Sequence, residues 1–103
     1  MFKEYHIHVY GPRREIVCFY FLDAFPEFER EEGPAGPHPV AQIGLIAKTK
    51  QLSSRHLKRI AETQDVSILI HPIMEDELEA HTTYATWYGK KIELNLDFFS
   101  VKE

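Results

Sequence analysis

One segment constrains this chain more than any other: Tyr5-His6-Ile7-His8-Val9-Tyr10 alternates with period two and is rich in β-formers. Such a run is a strand with two chemically different faces, Tyr5, Ile7 and Val9 on one and His6, His8 and Tyr10 on the other. The apolar face calls for a layer of helices. The other face has to accommodate imidazoles. Gly11-Pro12 ends the strand.

The rest of the chain supplies partners for that strand. Crowded apolar positions from Arg13 to about Ala24, with Pro12 at the start, predict a helix. Glu27 to Glu31 reads as a short polar edge strand, and Gly33-Pro34-Ala35-Gly36-Pro37 as a turn. His38 to Ala47 reads as a buried strand through Val40, Ala41, Ile43, Leu45 and Ile46. Leu52, Leu57, Ile60 and Ala61 recur at helical spacing, with Ser53 or Ser54 as cap, so Gln51 to Thr63 is expected to be a helix. Val66 to His71 is a strand stopped by Pro72, Asp76 to about Trp87 a helix closed by Gly89, and Lys91 to Leu96 a final strand.

This order predicts an α+β fold, a ferredoxin-like βαββαβ sandwich with an extra C-terminal helix and strand, in a single domain over residues 1–103. Within it the first and third strands are expected side by side and parallel, with the fourth antiparallel beside the first. The start of strand one, the start of strand three and the end of strand four then share a rim that holds His6, His38 and His71. Parity agrees. If Val66, Ile68 and Ile70 face the helices, His71 lies on the open face with Ser67 and Leu69; if Ala41, Ile43, Leu45 and Ala47 face the helices, His38, Val40 and Gln42 lie there too.

Composition narrows the chemistry. Sixteen acidic against twelve basic residues give a formal charge of −4, which argues against a nucleic-acid partner. No apolar run approaches the roughly 20 residues that span a bilayer, and the first residues lack a signal-peptide layout, so a cytoplasmic protein is expected. The single cysteine, Cys18, sits in a bulky apolar segment and reads as a buried, inert thiol. Six histidines stand out in a chain of 103 residues. Imidazoles converging on a rigid rim suit Fe(II), Zn or another divalent metal. The expected ligands are His6, His8, His38 and His71; His81 and the carboxylates Glu75, Asp76, Glu77 and Glu79 follow on the next element.

These segments together resemble the DOPA 4,5-dioxygenase family. Tyr5 to Tyr10 resembles the family's His-x-His-Val-Tyr opening, Gly36-Pro37-His38-Pro39 its Gly-Pro-His-Pro turn, and Ile70-His71-Pro72 its Val-His-Pro. Asp76 to Thr82 is similar to its Asp-Asp-Leu-x-Asp-His-Thr, Trp87-Tyr88-Gly89 to its Trp-Leu-Gly, and Leu94-Asn95-Leu96 to its closing strand. Tyr84 and Thr86 stand where the family has His and Leu.

The resemblance implies a dimeric α+β barrel and extradiol cleavage of a catechol such as L-DOPA by dioxygen on a histidine-bound Fe(II). In that chemistry His8 and His81 are the candidates for accepting and returning the catechol proton, and Tyr10, Gln42 and Tyr84 for lining the substrate. A homodimer packed sheet to sheet would cover Tyr10, Val40 and Leu69 on the open face. Two readings from other classes compete: a non-catalytic dimeric module holding a structural metal or a small aromatic ligand, and a metal-free monooxygenase-like dimer whose histidines contact substrate directly.

Overall fold

The computed structural model describes residues 4–21, 28–48 and 54–99. The strands are β1 (Glu4–Tyr10), β2 (Phe28–Glu31), β3 (Gln42–Lys48), β4 (Ser67–Pro72) and β5 (Thr86–Tyr88). The helices are α1 (Arg14–Ile16), which continues as a wider π-helical turn (Val17–Phe21), α2 (Ser54–Gln64) and the single turn α3 (Glu77–Ala80); a 3-10 turn (Leu96–Phe99) closes the described chain. One five-stranded sheet runs in the order β2-β3-β1-β4-β5. This is the mixed α+β architecture expected, with β5 added beside β4.

Every neighbouring pair in that sheet is antiparallel. The parallel pairing expected of the first and third strands is therefore corrected. β2 and β3 pair antiparallel, and β3 then runs down beside β1 with Tyr10 opposite Gln42 and Glu4 opposite Lys48. The start of β3 thus lies at the far end of β1 from the rim where His6 and His71 face each other.

The parity survives this correction, because antiparallel neighbours also share faces. Ile7 and Val9 of β1, Ile43 and Leu45 of β3 and Ile68 of β4 are buried in one core with Val17, Cys18, Leu57, Ile60 and Ala61 from the helical layer. Burying each large aliphatic side chain contributes about 1.5–3 kcal/mol, so this layer is what holds the sheet's other face in place. On that face His6, His8 and Tyr10 lie opposite His71, Leu69 and Ser67 of β4, and opposite Ile46, Gly44 and Gln42 of β3.

Three expected elements change. The strand expected from His38 starts only at Gln42, since Pro39 has no N–H to give a ladder; His38 instead closes a tight turn with Ala35, N–H to carbonyl both ways at 2.9 Å. Gly36 takes φ +55 in this turn, a conformation that glycine adopts without strain. The helix expected from Asp76 to Trp87 stops at Ala80, where the Thr82 hydroxyl donates to the Leu78 carbonyl and the Tyr84 N–H to that of Glu79. Thr86-Trp87-Tyr88, β-formers, then pair with the free edge of β4.

Gly89, at φ +80, turns the chain off the sheet, so Lys91 to Leu96 forms no strand. It returns across the open face, where the Asn95 N–H donates to the Pro37 carbonyl at 2.7 Å. Of the helices expected at 13–24 and 51–63, residues 22–24 and 51–53 lie outside the described residues, as does the start of the edge strand. Among the described residues no helix is long and apolar enough to cross a membrane.

Candidate metal centre

Five of the six histidines meet on the open face. His6 and His8 come from alternate positions of β1, and His71 from the end of β4 directly opposite His6. His38 arrives from the Ala35–His38 turn, and His81 from the C-terminal cap of α3. Ring centroids are 4.4 Å apart for His6 and His8, 4.1 Å for His8 and His38, 5.1 Å for His8 and His71, and 3.9 Å for His71 and His81. His56, the sixth, is exposed on α2 outside this cluster.

The imidazoles open into a cavity of about 600 Å³, whose other walls are Pro37, the α3 segment from Glu75 to Leu78, and Phe98 and Phe99. The Phe99 ring stands 4.9 Å from that of His81. Two groups of three histidines can each offer ring nitrogens within 4.8 Å of one another: His6, His8 and His71, and His8, His38 and His81.

Burial governs the charge state. It pushes His38 down to about 4 and His71 to about 3, with neighbouring imidazoles adding to the effect. His6, His8 and His81 move in the same direction, again mainly through burial. Near pH 7 the cluster is neutral, the form in which imidazole binds a metal.

The hydrogen bonds decide which lone pairs remain. His71 Nδ1–H donates to the Pro72 carbonyl at 3.0 Å and His81 Nδ1–H to the Glu77 carbonyl at 2.7 Å, so each keeps its Nε2 lone pair. His8 Nδ1–H donates to Gln42 Oε1 at 2.8 Å. The Nε2 atoms of His8 and His71 then face each other at 3.1 Å, lone pair to lone pair. That arrangement is repulsive until a proton or a cation lies between them, so the donor set fits a metal ion.

His6, His8, His38, His71 and His81 are thus brought together as the sequence suggested, while the predicted substrate residues are placed differently. Tyr10 and Gln42 are buried beneath the imidazoles as their hydrogen-bond partners, and Tyr84 is exposed outside the cavity walls. Of the carboxylates, Glu75, Asp76 and Glu77 line the cavity and Glu79 does not; Asp76 caps α3 by accepting the Glu79 N–H at 3.0 Å. Sequence reasoning missed Phe98 and Phe99, whose adjacent pair after Asp97 breaks the alternation of a strand. It also missed Gly44. A Cβ there would lie 3.3 Å from His6 Nε2 and 3.6 Å from His8 Nδ1, so the absent side chain is the space the two rings occupy.

A ferredoxin-like α+β sheet with a polyhistidine cavity able to hold a metal is the class that fold and site define. The family model described as the Dopa 4,5-dioxygenase family matches residues 5–98, and the chain belongs to that family. A DOPA 4,5-dioxygenase of Amanita muscaria is 28% identical over 116 residues, which cover 97% of this chain and 51% of that protein; the chain spans about half the length of this curated relative. A candidate dioxygenase from Nostoc punctiforme has the same fold, with a TM-score of 0.76 at 22% identity over 96% of this chain and 92% of its own.

Proposed function

We propose that this protein is an extradiol ring-cleaving dioxygenase acting on a catechol such as L-DOPA, with Fe(II), or less favourably Zn or another divalent ion, held by histidines. The observation that carries the reading is the set of neutral imidazoles converging on one aromatic-walled cavity. The donors come from among His6, His8, His38 and His71. Bound Fe(II) would supply the electron transfer between the ring and dioxygen that cleavage requires. Phe98 and Phe99 offer an apolar wall for an aromatic ring. His81 Nε2, left as a base by the Nδ1–H bond to Glu77, accepts the catechol proton and returns it later; His8 is the alternative if its Nε2 is not taken by the metal.

A homodimer belongs to the same proposal. Tyr10 and Leu69 are already covered within one chain, but Val40 is exposed as expected, and Ile46, beside His6 on the open face, is further exposed apolar surface that a second copy would bury. A cytoplasmic location is part of the same proposal. The test is anaerobic Fe(II) loading followed by a catechol panel including L-DOPA and caffeate, with oxygen uptake and the yellow ring-opened product as readouts. Neither signal across the panel, with the metal still bound, would favour the non-catalytic binding module.

A further inference from the structure

The Tyr10 hydroxyl and His38 Nδ1 are 2.6 Å apart, both buried. Among the described residues the hydroxyl has no other hydrogen-bond partner, so an arrangement in which it accepted from His38 would leave its own proton buried and unused. Tyr10 therefore donates, His38 Nδ1 accepts, and the proton of the His38 ring is on Nε2.

This sets His38 apart from its neighbours. His71 and His81 each donate Nδ1–H to a backbone carbonyl, which can only accept, and His8 donates to Gln42 Oε1. Those three rings keep an Nε2 lone pair; His38 presents Nε2–H. Resting on the reading of the cavity as a metal-dependent catechol site, we infer that Tyr10 is a positioning residue that holds His38 as a hydrogen-bond donor toward an oxygen of the bound aromatic, and that the metal belongs to His6, His8 and His71. The position of Tyr10 is itself fixed, since its ring lies 5.8 Å from that of Trp87 in a stacked arrangement and Val9, the residue before it, is core.

The test begins on the metal-free 103-residue chain, with 15N NMR of the imidazoles. His38 is expected as the Nε2–H tautomer, and in Tyr10→Phe, which keeps the ring and its stacking, as a mixture that gains the Nδ1–H form. A wild-type His38 carrying its proton on Nδ1 overturns the inference. Co(II) absorption then separates ligand from donor: His38→Asn and Tyr10→Phe retain the wild-type spectrum and affinity, and His71→Asn loses both. Loss of the spectrum in a folded His38→Asn overturns it as well. With 4-nitrocatechol as the probe, Tyr10→Phe binds more weakly by the factor by which the Nε2–H population falls, and unchanged binding in a variant whose tautomer has shifted counts against the role. If the chain takes up no Co(II), the metal reading of the cavity fails, while the tautomer measurement still decides what Tyr10 does.

Discussion

Gly44→Ala should separate the metal centre from the stability of the fold. The glycine sits in the interior of β3 opposite His8, and its φ is not in the left-handed region, so alanine suits the backbone. On backbone grounds the change is expected to stabilise the strand by about 0.5–1 kcal/mol, because the unfolded chain loses freedom. The new Cβ would stand 3.3 Å from His6 Nε2, 3.6 Å from His8 Nδ1 and 3.8 Å from Gln42 Oε1. His8 is pinned by Gln42, so His6, which is only partly buried, gives way. A retreat on the order of 0.3–0.5 Å exceeds the roughly 0.2 Å that metal–nitrogen distances tolerate.

The expected result is a melting temperature equal to wild type or raised by roughly 5 °C, with metal affinity lowered about 10- to 100-fold. Chelator competition with Co(II) or Zn measures the second quantity and thermal unfolding of the metal-free protein the first. Gly33→Ala is the control, since no atom lies within 4 Å of its Cβ. A destabilised variant with unchanged metal affinity would refute the reasoning, for the glycine would then serve the backbone and not the imidazoles.

Three further outcomes follow from the same geometry. Acidifying the metal-free protein should destabilise it: with His38 near 4 and His71 near 3 in the fold, against about 6.5 unfolded, the unfolded chain takes up protons first, so stability is full above about pH 6.5 and falls as pH drops toward 4. Glu29 and Glu77 oppose this at His6, and Glu77 at His81, without reversing it; a melting temperature flat from pH 7.5 to 5 would contradict the account. Gly89→Ala should cost about 1–2 kcal/mol for its left-handed backbone alone, and more because the Cβ would lie 2.6 Å from the Val66 carbonyl oxygen; urea unfolding should show a midpoint well below wild type. Cys18, with its thiol pushed up to about 12 mainly by burial, should resist iodoacetamide at pH 8 until the protein is unfolded; modification of the native protein at the rate of a free thiol would show the site to be open.

Much of the site was legible because strand parity is a local property. His6 and His8 share a face with Tyr10 as a consequence of positions two apart, and the same rule placed His71 and Gln42 beside them whichever way the strands ran. Strand direction was not legible in that way. His38 reaches the cluster through a glycine-proline turn that folds back over the sheet, so the expected convergence occurred by a different route from the shared rim. The α3 segment shows a second limit. Its acidic, capped first turn does start a helix, but the free edge of β4 captured Thr86 to Tyr88, a competition that no property of those residues alone decides.

The amino-acid order by itself determined a two-faced strand, an apolar layer to cover one face, histidines in five places able to meet on the other, and membership of a family that carries the same run of motifs. Only the tertiary structure decided what each imidazole can do. Alternation along a strand specifies where a ring points, whereas its proton goes to whichever nitrogen has an acceptor nearby. Those partners, the Pro72 and Glu77 carbonyls, the Gln42 amide and the Tyr10 hydroxyl, are set in place by the packing of strand against strand and turn against sheet.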